Sequence, residues 1–268
     1  MRAFRVAYDG TDYRGFQRQP HGETVEDAFF DALRDLGVGF EDGSPVGYAA
    51  AGRTDAGVSA RAQTVAFETP TWLSPAALNS ELPASIRAWA AADVPESFHA
   101  TYDAAERAYR YFLYAPGADD DLAERAATRL SGAHDFHNFT PDDERTEREL
   151  SVSLQRDGAF LVVDCRAGGF ARQLVRRLVS VLDAVAREER PLEFIDRALA
   201  PVPLSGPEGI GSAAPEPLVL VGVRYPGVEF GVDDRALAAV REVFDRRRRR
   251  RLAGARVAGE LFAVDPSE

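Results

Sequence analysis

The sequence lacks lysine altogether and contains one cysteine, Cys165, and one methionine. A single cysteine excludes an intramolecular disulfide framework and any zinc site built from a cysteine cluster. No apolar run approaches the roughly 20 residues needed to cross a bilayer, and the first residues lack the apolar core of a signal peptide. We therefore expect a cytoplasmic protein with no membrane partner.

The charge balance is strongly acidic, with 43 Asp and Glu residues against 32 arginines and a formal net charge of −11. This composition is typical of proteins from a salt-saturated cytoplasm, where net charge maintains solubility. A GC-rich genome alone would also favour arginine over lysine. The acidic balance disfavours a nucleic-acid partner, but a local basic patch would be sufficient to bind one, because molar salt screens the remaining charge.

Hydrophobic patterning predicts two halves with the same order of elements. With 45% hydrophobic side chains, the chain has enough apolar surface to bury a core. In the first half, apolar alternation predicts strands, while a capping-box pattern at Thr24 and a cap with a following proline at Ser74 predict helix starts. The predicted elements are strands at 4–8, 46–51, 63–67 and 86–92, with helices at 25–36 and 75–82.

The second half repeats this order, with strands predicted at 109–114, 150–155, 160–165 and 218–225 and helices at 122–130 and 171–185. A proline-rich loop is predicted at 201–217. Two β-α-β-β-α-β units indicate an α+β fold made of two ferredoxin-like halves. We predict an N-terminal half at 1–100 and a C-terminal half, carrying an arginine-rich helix, at 101–268.

Six consecutive arginines, Arg246–Arg251, lie in a helix that is predicted to begin near Asp234. The favoured interpretation is a solvated helix end, where cations interact well with the helix dipole. The alternative is a phosphate-binding strip in an otherwise acidic protein.

A loop at 51–61 contains the strongest candidate for chemistry. It joins two predicted strands, is flanked by Gly52 and Gly57, and places Asp55 between two arginines. Glycine permits close backbone approach, and a nearby guanidinium would keep the carboxylate ionised, as nucleophilic attack or proton abstraction requires. From composition and spacing alone, we would favour a tight turn in which Asp55 binds local backbone N–H groups.

The segment 52–58, GRTDAGV, resembles the signature of the TruA-type tRNA pseudouridine synthases. The resemblance extends to YDGTDYRGFQRQ at 8–19, and it covers the chain from about Phe4 to Pro226. Further motifs follow in the family's order at 98–100, 107–111, 135–136, 170, 174–176 and 220–226. Together with the composition, the resemblance points to a member from a haloarchaeon.

The resemblance implies an isomerase that needs neither cofactor nor metal. Its substrate would be a uridine in the anticodon stem-loop of tRNA, at tRNA positions 38–40, and the active unit would be a homodimer that contacts one tRNA. The fold implied is two ferredoxin-like halves joined into one antiparallel sheet of the pseudouridine-synthase type.

Four residues receive roles from the resemblance. Asp55 matches the catalytic aspartate, which attacks the ribose or the base, and Arg176 matches the arginine paired with that carboxylate. Tyr109 matches the tyrosine that stacks on the target uracil and assists proton transfer from C5. Arg53 matches the arginine that fills the gap left by the extruded base. Independently, helical spacing places Arg172 and Arg176 at one edge of an apolar arc, from which an arginine can reach a cleft.

Two features remain outside this assignment. Ser59 stands where the family commonly has a histidine, so any contact of that histidine with RNA must differ here. His134 and His137 have no third ligand at a recognisable spacing, so no metal site is predicted.

Two other functions remain open. One is an RNA-binding module that has the fold without catalysis. The other is a carboxylate-based hydrolase of nucleosides or glycosides, which would normally need a second carboxylate as acid partner.

Overall fold

Helices cover a ten-stranded sheet in the computed structural model, which describes residues 1–263. The strands are β1 (Arg2–Tyr8), β2 (Phe40–Glu41), β3 (Ser44–Pro45), β4 (Ala49–Ala50), β5 (Ser59–Phe67), β6 (Ile86–Asp93), β7 (Glu106–Tyr114), β8 (Gly132–Asp135), β9 (Glu147–Asp157), β10 (Phe160–Ala167), β11 (Leu218–Arg224) and β12 (Gly231–Val232). The helices are α1 (Val25–Asp35), α2 (Pro75–Glu81), α3 (Asp120–Leu130), α4 (Leu174–Ala186), α5 (Glu193–Leu199) and α6 (Asp234–Phe262). Strands β2 and β3 form a separate hairpin.

The sheet has the order β12-β6-β1-β5-β11-β7-β10-β9-β8, and β4 also pairs with β5. The orders β6-β1-β5-β4 and β11-β7-β10-β9 each have the ferredoxin-like arrangement, in which the first strand lies between the fourth and the third. This confirms the predicted α+β fold with two ferredoxin-like halves. The halves meet where β11 runs parallel to β5, with Val219 opposite Ser59, so the sheet is mixed at this junction and otherwise antiparallel.

Strand β11 pairs with both halves, and the boundary at residue 100 between two domains stays a prediction. Residues 264–268, which belong to the predicted C-terminal half, lie outside the described residues. Each half has its own hydrophobic core. Phe4, Phe29 and Phe67 pack in the first, and Phe136 and Leu178 are buried in the second.

Local patterns account for the helix starts. The Thr24 hydroxyl accepts from the Asp27 N–H, and the Asp27 carboxylate accepts from the Thr24 N–H, which completes the predicted capping box. Ser74 caps α2, and Pro75 occupies the first turn, where its missing N–H has no helical partner to lose.

Several predicted elements have different bounds in the structure, and two of these differences bear on the site. The strand predicted at 46–51 is reduced to the two residues of β4, because Gly47 has φ of 69° and the Tyr48 N–H donates to the Pro45 carbonyl in a turn that precedes β4. The helix predicted from 171 begins at Leu174, because Gln173 adopts a left-handed conformation with φ of 60°. Arg172 therefore precedes α4, and the helical-spacing argument applies to Arg176 alone.

The prediction that the arginine tract ends a helix is wrong. Helix α6 continues from Asp234 to Phe262, so Arg246–Arg251 lie near its middle. The helix dipole acts mainly within the last turn and gives these cations little stabilisation. Within residues 1–263, no helix is long and apolar enough to cross a membrane.

Candidate functional site

Main-chain hydrogen bonds to residues 13–16 hold the loop between β4 and β5 in place. The Phe16 N–H donates to the Thr54 carbonyl at 3.0 Å, and the Gly57 N–H donates to the Tyr13 carbonyl at 3.2 Å. Inside the loop, the Val58 N–H donates to the Asp55 carbonyl at 3.1 Å. A tight turn therefore exists, but the main-chain oxygen of Asp55 closes it, which leaves the carboxylate available for a distant partner.

That partner is Arg176, in the first turn of α4. Its Nη1 lies 3.2 Å from Asp55 Oδ2, and both side chains are largely buried, 13% exposed for Arg176 and 27% for Asp55. The rest of the guanidinium is fixed by the loop between α5 and β11. Its Nε donates to the Ala213 carbonyl at 2.7 Å, and its Nη2 donates to Ser212 Oγ at 3.2 Å.

The same loop also touches the Asp55 turn. Gly57 has φ of 82°, a conformation that favours glycine, and a Cβ added there would lie 2.9 Å from Cγ of Pro215. Pro215 therefore packs directly on the turn. The proline-rich loop predicted at 201–217 thus positions both members of the Asp55–Arg176 pair.

Tyr109, on β7, lies beside this pair. Its ring makes an edge contact with Phe170 at a centroid distance of 5.0 Å, and a Cβ added at Gly52 would lie 3.9 Å from its hydroxyl. Burial raises the pKa of Tyr109 to about 12, with Arg107 acting in the opposite direction and Asp55 adding to the rise. At neutral pH the phenol therefore keeps its proton. Tyr111, two residues along the strand, belongs to the core.

The sequence alone gave no role to Arg107, which is buried and has no carboxylate partner among residues 1–263. Its guanidinium donates to three main-chain carbonyls, those of Ala51 at 2.7 and 2.9 Å, Thr101 at 2.6 Å and Gly168 at 2.5 Å. Burial lowers its pKa. Arg107 joins the start of the Asp55 loop to the end of β10. Its place in the motif at 107–111 was the available sequence indication, but no local pattern assigns it these carbonyls.

These residues surround a cleft of about 1890 Å³. The cleft is basic although the chain is acidic, since seven arginines line it against three carboxylates, Glu26, Asp55 and Asp142. The arginines are Arg14, Arg53, Arg107, Arg145, Arg148, Arg172 and Arg176. Arg53 is exposed and forms no hydrogen bond or ion pair within residues 1–263.

Comparison with known proteins assigns the chain to a family. A family model described as tRNA pseudouridine synthase matches residues 126–226. The tRNA pseudouridine synthase A of Natronomonas pharaonis is 72% identical over 97% of this chain and 98% of its own length.

The chain belongs to the tRNA pseudouridine synthase family. It is an isomerase that forms pseudouridine.

The tRNA pseudouridine synthase A of Haloarcula marismortui is 57% identical over 97% of this chain and 98% of its own length. These haloarchaeal relatives agree with the source predicted from the composition. Among solved structures, a Cbf5-Nop10-Gar1 complex aligns with 68% of this chain and 44% of that chain, at 11% identity and a TM-score of 0.36. This similarity is too low to add to the assignment.

All four residues matched to the family's site line the same cleft: Arg53, Asp55, Tyr109 and Arg176. Their individual roles stay predictions. Ser59, which replaces the family's usual histidine, is not among the lining residues, and its hydroxyl accepts from the Gly10 N–H at 3.1 Å. Within residues 1–263, no group of three or more His, Cys, Asp or Glu side chains is placed to hold a metal ion.

Proposed function

We propose that this chain converts uridine to pseudouridine in the anticodon stem-loop of tRNA, with Asp55 as the nucleophile. The observation that supports this proposal most directly is the ion pair between Asp55 and Arg176, inside an arginine-lined cleft and beside Tyr109. The Arg176 guanidinium holds the Asp55 carboxylate at 3.2 Å, and carboxylates act as nucleophiles in enzymes that form covalent intermediates.

The reaction balances without a redox partner. The C1′–N1 bond of uridine breaks, a C1′–C5 bond forms, N1 gains a proton and C5 releases one. Asp55 forms a covalent bond to the ribose or to the base during the exchange, and its carboxylate is regenerated when the product forms. The other cleft carboxylates are engaged elsewhere, since Glu26 accepts from the Arg18 N–H and Asp142 pairs with Arg172. This pairing disfavours the hydrolase, which would need a second free carboxylate near Asp55.

Each remaining site residue has a role in this proposal. A base must leave its stack before chemistry at C5 and C1′ is possible, and the extruded uracil then needs a new stacking partner. Tyr109 offers it an aromatic face. Its raised pKa favours a neutral phenol that stacks and donates a hydrogen bond over a phenolate base. Arg53, exposed at the cleft and unpaired within residues 1–263, is free to occupy the space that the base leaves.

The basic cleft supports an RNA substrate. The anticodon arm is a duplex closed by a loop, so shape and backbone contacts would dominate its recognition, and arginines provide bidentate contacts to phosphates. The proposal includes a homodimer that contacts one tRNA and a cytoplasmic location, both as the family resemblance implies. Sedimentation of the protein in molar KCl tests the homodimer, with a monomer as the contradicting result.

The competing function is an RNA-binding module of the same fold without catalysis. We would incubate the protein in molar KCl with tRNA carrying tritium at uridine C5, then locate pseudouridines in the product. Tritium release with pseudouridine on the 3′ side of the anticodon arm supports the proposal. Binding without release supports the module, free uracil supports the hydrolase, and pseudouridine elsewhere contradicts the proposed substrate site.

A further inference from the structure

Helix α6 is attached to the rest of the chain mainly at two places. Among its residues, all of which lie within the described part of the chain, only Ala236 is fully buried. The first attachment is its start, where the Asp233 carboxylate caps the helix and also accepts from the Ala76 N–H at 3.1 Å. The second lies near the middle, where Arg247 and Arg251 reach Asp9.

Asp9 is a nearly buried carboxylate with several partners. Arg247 Nη1 lies 2.7 Å from its Oδ2, and Arg251 Nη2 lies 2.7 and 3.0 Å from its two oxygens. The Thr11 N–H and hydroxyl donate to Asp9 Oδ1 at 3.2 and 2.7 Å. Asp9 itself is 4% exposed. Because a buried carboxylate needs such partners, Asp9 and the middle of α6 fix each other's position.

Asp9 is one residue away from a backbone contact with the Asp55 loop. A Cβ added at Gly10 would lie 2.0 Å from the Val58 carbonyl oxygen, so the two backbones touch with no room for a side chain. The Gly10 N–H donates to Ser59 Oγ at 3.1 Å, and the Val58 N–H donates to the Asp55 carbonyl. Movement of Asp9 would therefore displace the turn that presents Asp55.

We propose that Asp9, Arg247 and Arg251 form a clamp through which α6 positions the Asp55 loop for catalysis. These three are positioning residues that act through Gly10 and Val58, and the inference rests on the proposed role of Asp55. Two of the six arginines in the tract thus point inward and act on the reaction geometry.

The remaining arginines of the tract have different surroundings. Arg246 pairs with Glu242, while Arg248 and Arg249 pair with Asp245. Arg250 has no ion pair within residues 1–263. The tract therefore contains a matched control. Replacing Arg249 and Arg250 removes two positive charges from α6 without removing a partner of Asp9.

The test compares two double variants, Arg247→Gln with Arg251→Gln, and Arg249→Gln with Arg250→Gln. In molar KCl, we expect the first to lower kcat on tRNA by about tenfold, because small displacements of a reacting group are costly, with KM changed less than twofold. The single variant Arg247→Lys keeps a cation near Asp9 and should have most of the native kcat. The second double variant should leave kcat unchanged.

Hydrogen exchange of the free protein provides a readout that is independent of catalysis. Amides of residues 52–58 should exchange faster in the first double variant and at the native rate in the second. If the first variant does not fold, Arg251→Gln alone, which leaves Arg247 on Asp9, should show the same changes at smaller size.

Three results would overturn the clamp. These are unchanged kcat and exchange in the first variant, equal effects of both double variants, or a raised KM at unchanged kcat, which would mean that these arginines bind tRNA directly. If Asp55→Asn stays active, the proposed function fails instead. Faster amide exchange at 52–58 in the first double variant would still show that Arg247 and Arg251 hold the Asp55 loop in place.

Discussion

Asp55 Oδ2 lies 3.2 Å from Nη1 of Arg176, although the two residues are 121 positions apart in the sequence. One comes from a loop of the N-terminal half and the other from the first turn of α4, and the loop that carries Ser212 and Ala213 fixes the orientation of the guanidinium. The site therefore exists only when both halves pack on either side of the β5–β11 junction.

Replacement of Arg176 by lysine should lower kcat by about a hundredfold. A lysine ammonium is a point charge, so it cannot bind the carboxylate while also donating to the Ala213 carbonyl and Ser212. Single-turnover tritium release from saturating tRNA would measure the effect. Arg172→Lys is the control because Arg172 lines the same cleft and pairs with Asp142, and it should retain the native rate of chemistry. Equal losses in the two variants would contradict a specific role for the Asp55 pair.

Arg107→Met should destabilise the protein by about 3 kcal/mol, because it leaves the buried Ala51 carbonyl and the partly buried Thr101 and Gly168 carbonyls without their donor. Arg110→Met, on the same strand, removes an ion pair to Asp164 that is partly exposed, and it should cost less than about 1 kcal/mol. Urea unfolding in molar KCl would measure both free energies. A loss of similar size in the two variants would mean that burial of Arg107 adds nothing to stability.

Asp9→Asn should show a stability difference that depends on pH. Burial by itself raises the pKa of Asp9, but hydrogen bonds from Thr11, Arg251 and Arg247 outweigh burial and lower it from 3.8 to about 2. By linkage the native carboxylate contributes about 2 kcal/mol, fully present above pH 3.8 and lost as the pH falls towards 2.

Urea unfolding of the native protein and the Asp9→Asn variant should therefore differ by about 2 kcal/mol at pH 7 and converge between pH 4 and 2. A difference that is constant over this range would show that the ionised form of Asp9 is not what stabilises the fold.

Catalysis should persist in molar KCl. The pair of Asp55 and Arg176 is largely buried, and salt screens such pairs less than exposed ones. RNA binding through phosphates weakens with salt, so KM should rise with KCl while kcat at saturating tRNA remains. Full activity at low salt with loss of kcat in molar KCl would contradict the halophilic assignment.

Elements defined by local chemistry could be predicted from the sequence. The capping box at Thr24 and the helix start with Ser74 as cap and Pro75 in the first turn each depend on neighbouring residues, and the structure has both. The two-residue strand β12 was missed because it is defined only by its pairing with β6. The start of α4 was misplaced because the left-handed conformation of Gln173 has no sequence pattern.

The site was predictable to the extent that a family motif marks it. Asp55, Tyr109 and Arg176 come from three separate segments, and no periodicity within any segment shows that they meet. Arg107 was missed because its partners are main-chain carbonyls, which any residue offers. The contact of Asp9 with Arg247 spans 238 positions and depends on the path of α6 across the molecule.

The most direct test of the central claim is tritium release from C5-labelled tRNA by the Asp55→Asn variant, with tRNA affinity measured in parallel. The matched control is Asp142→Asn, which removes a carboxylate from the same cleft but not the partner of Arg176. We predict that Asp55→Asn abolishes release and keeps tRNA binding, while Asp142→Asn releases tritium at nearly the native rate. Release by Asp55→Asn at the rate of the control would show that Asp55 is not the nucleophile.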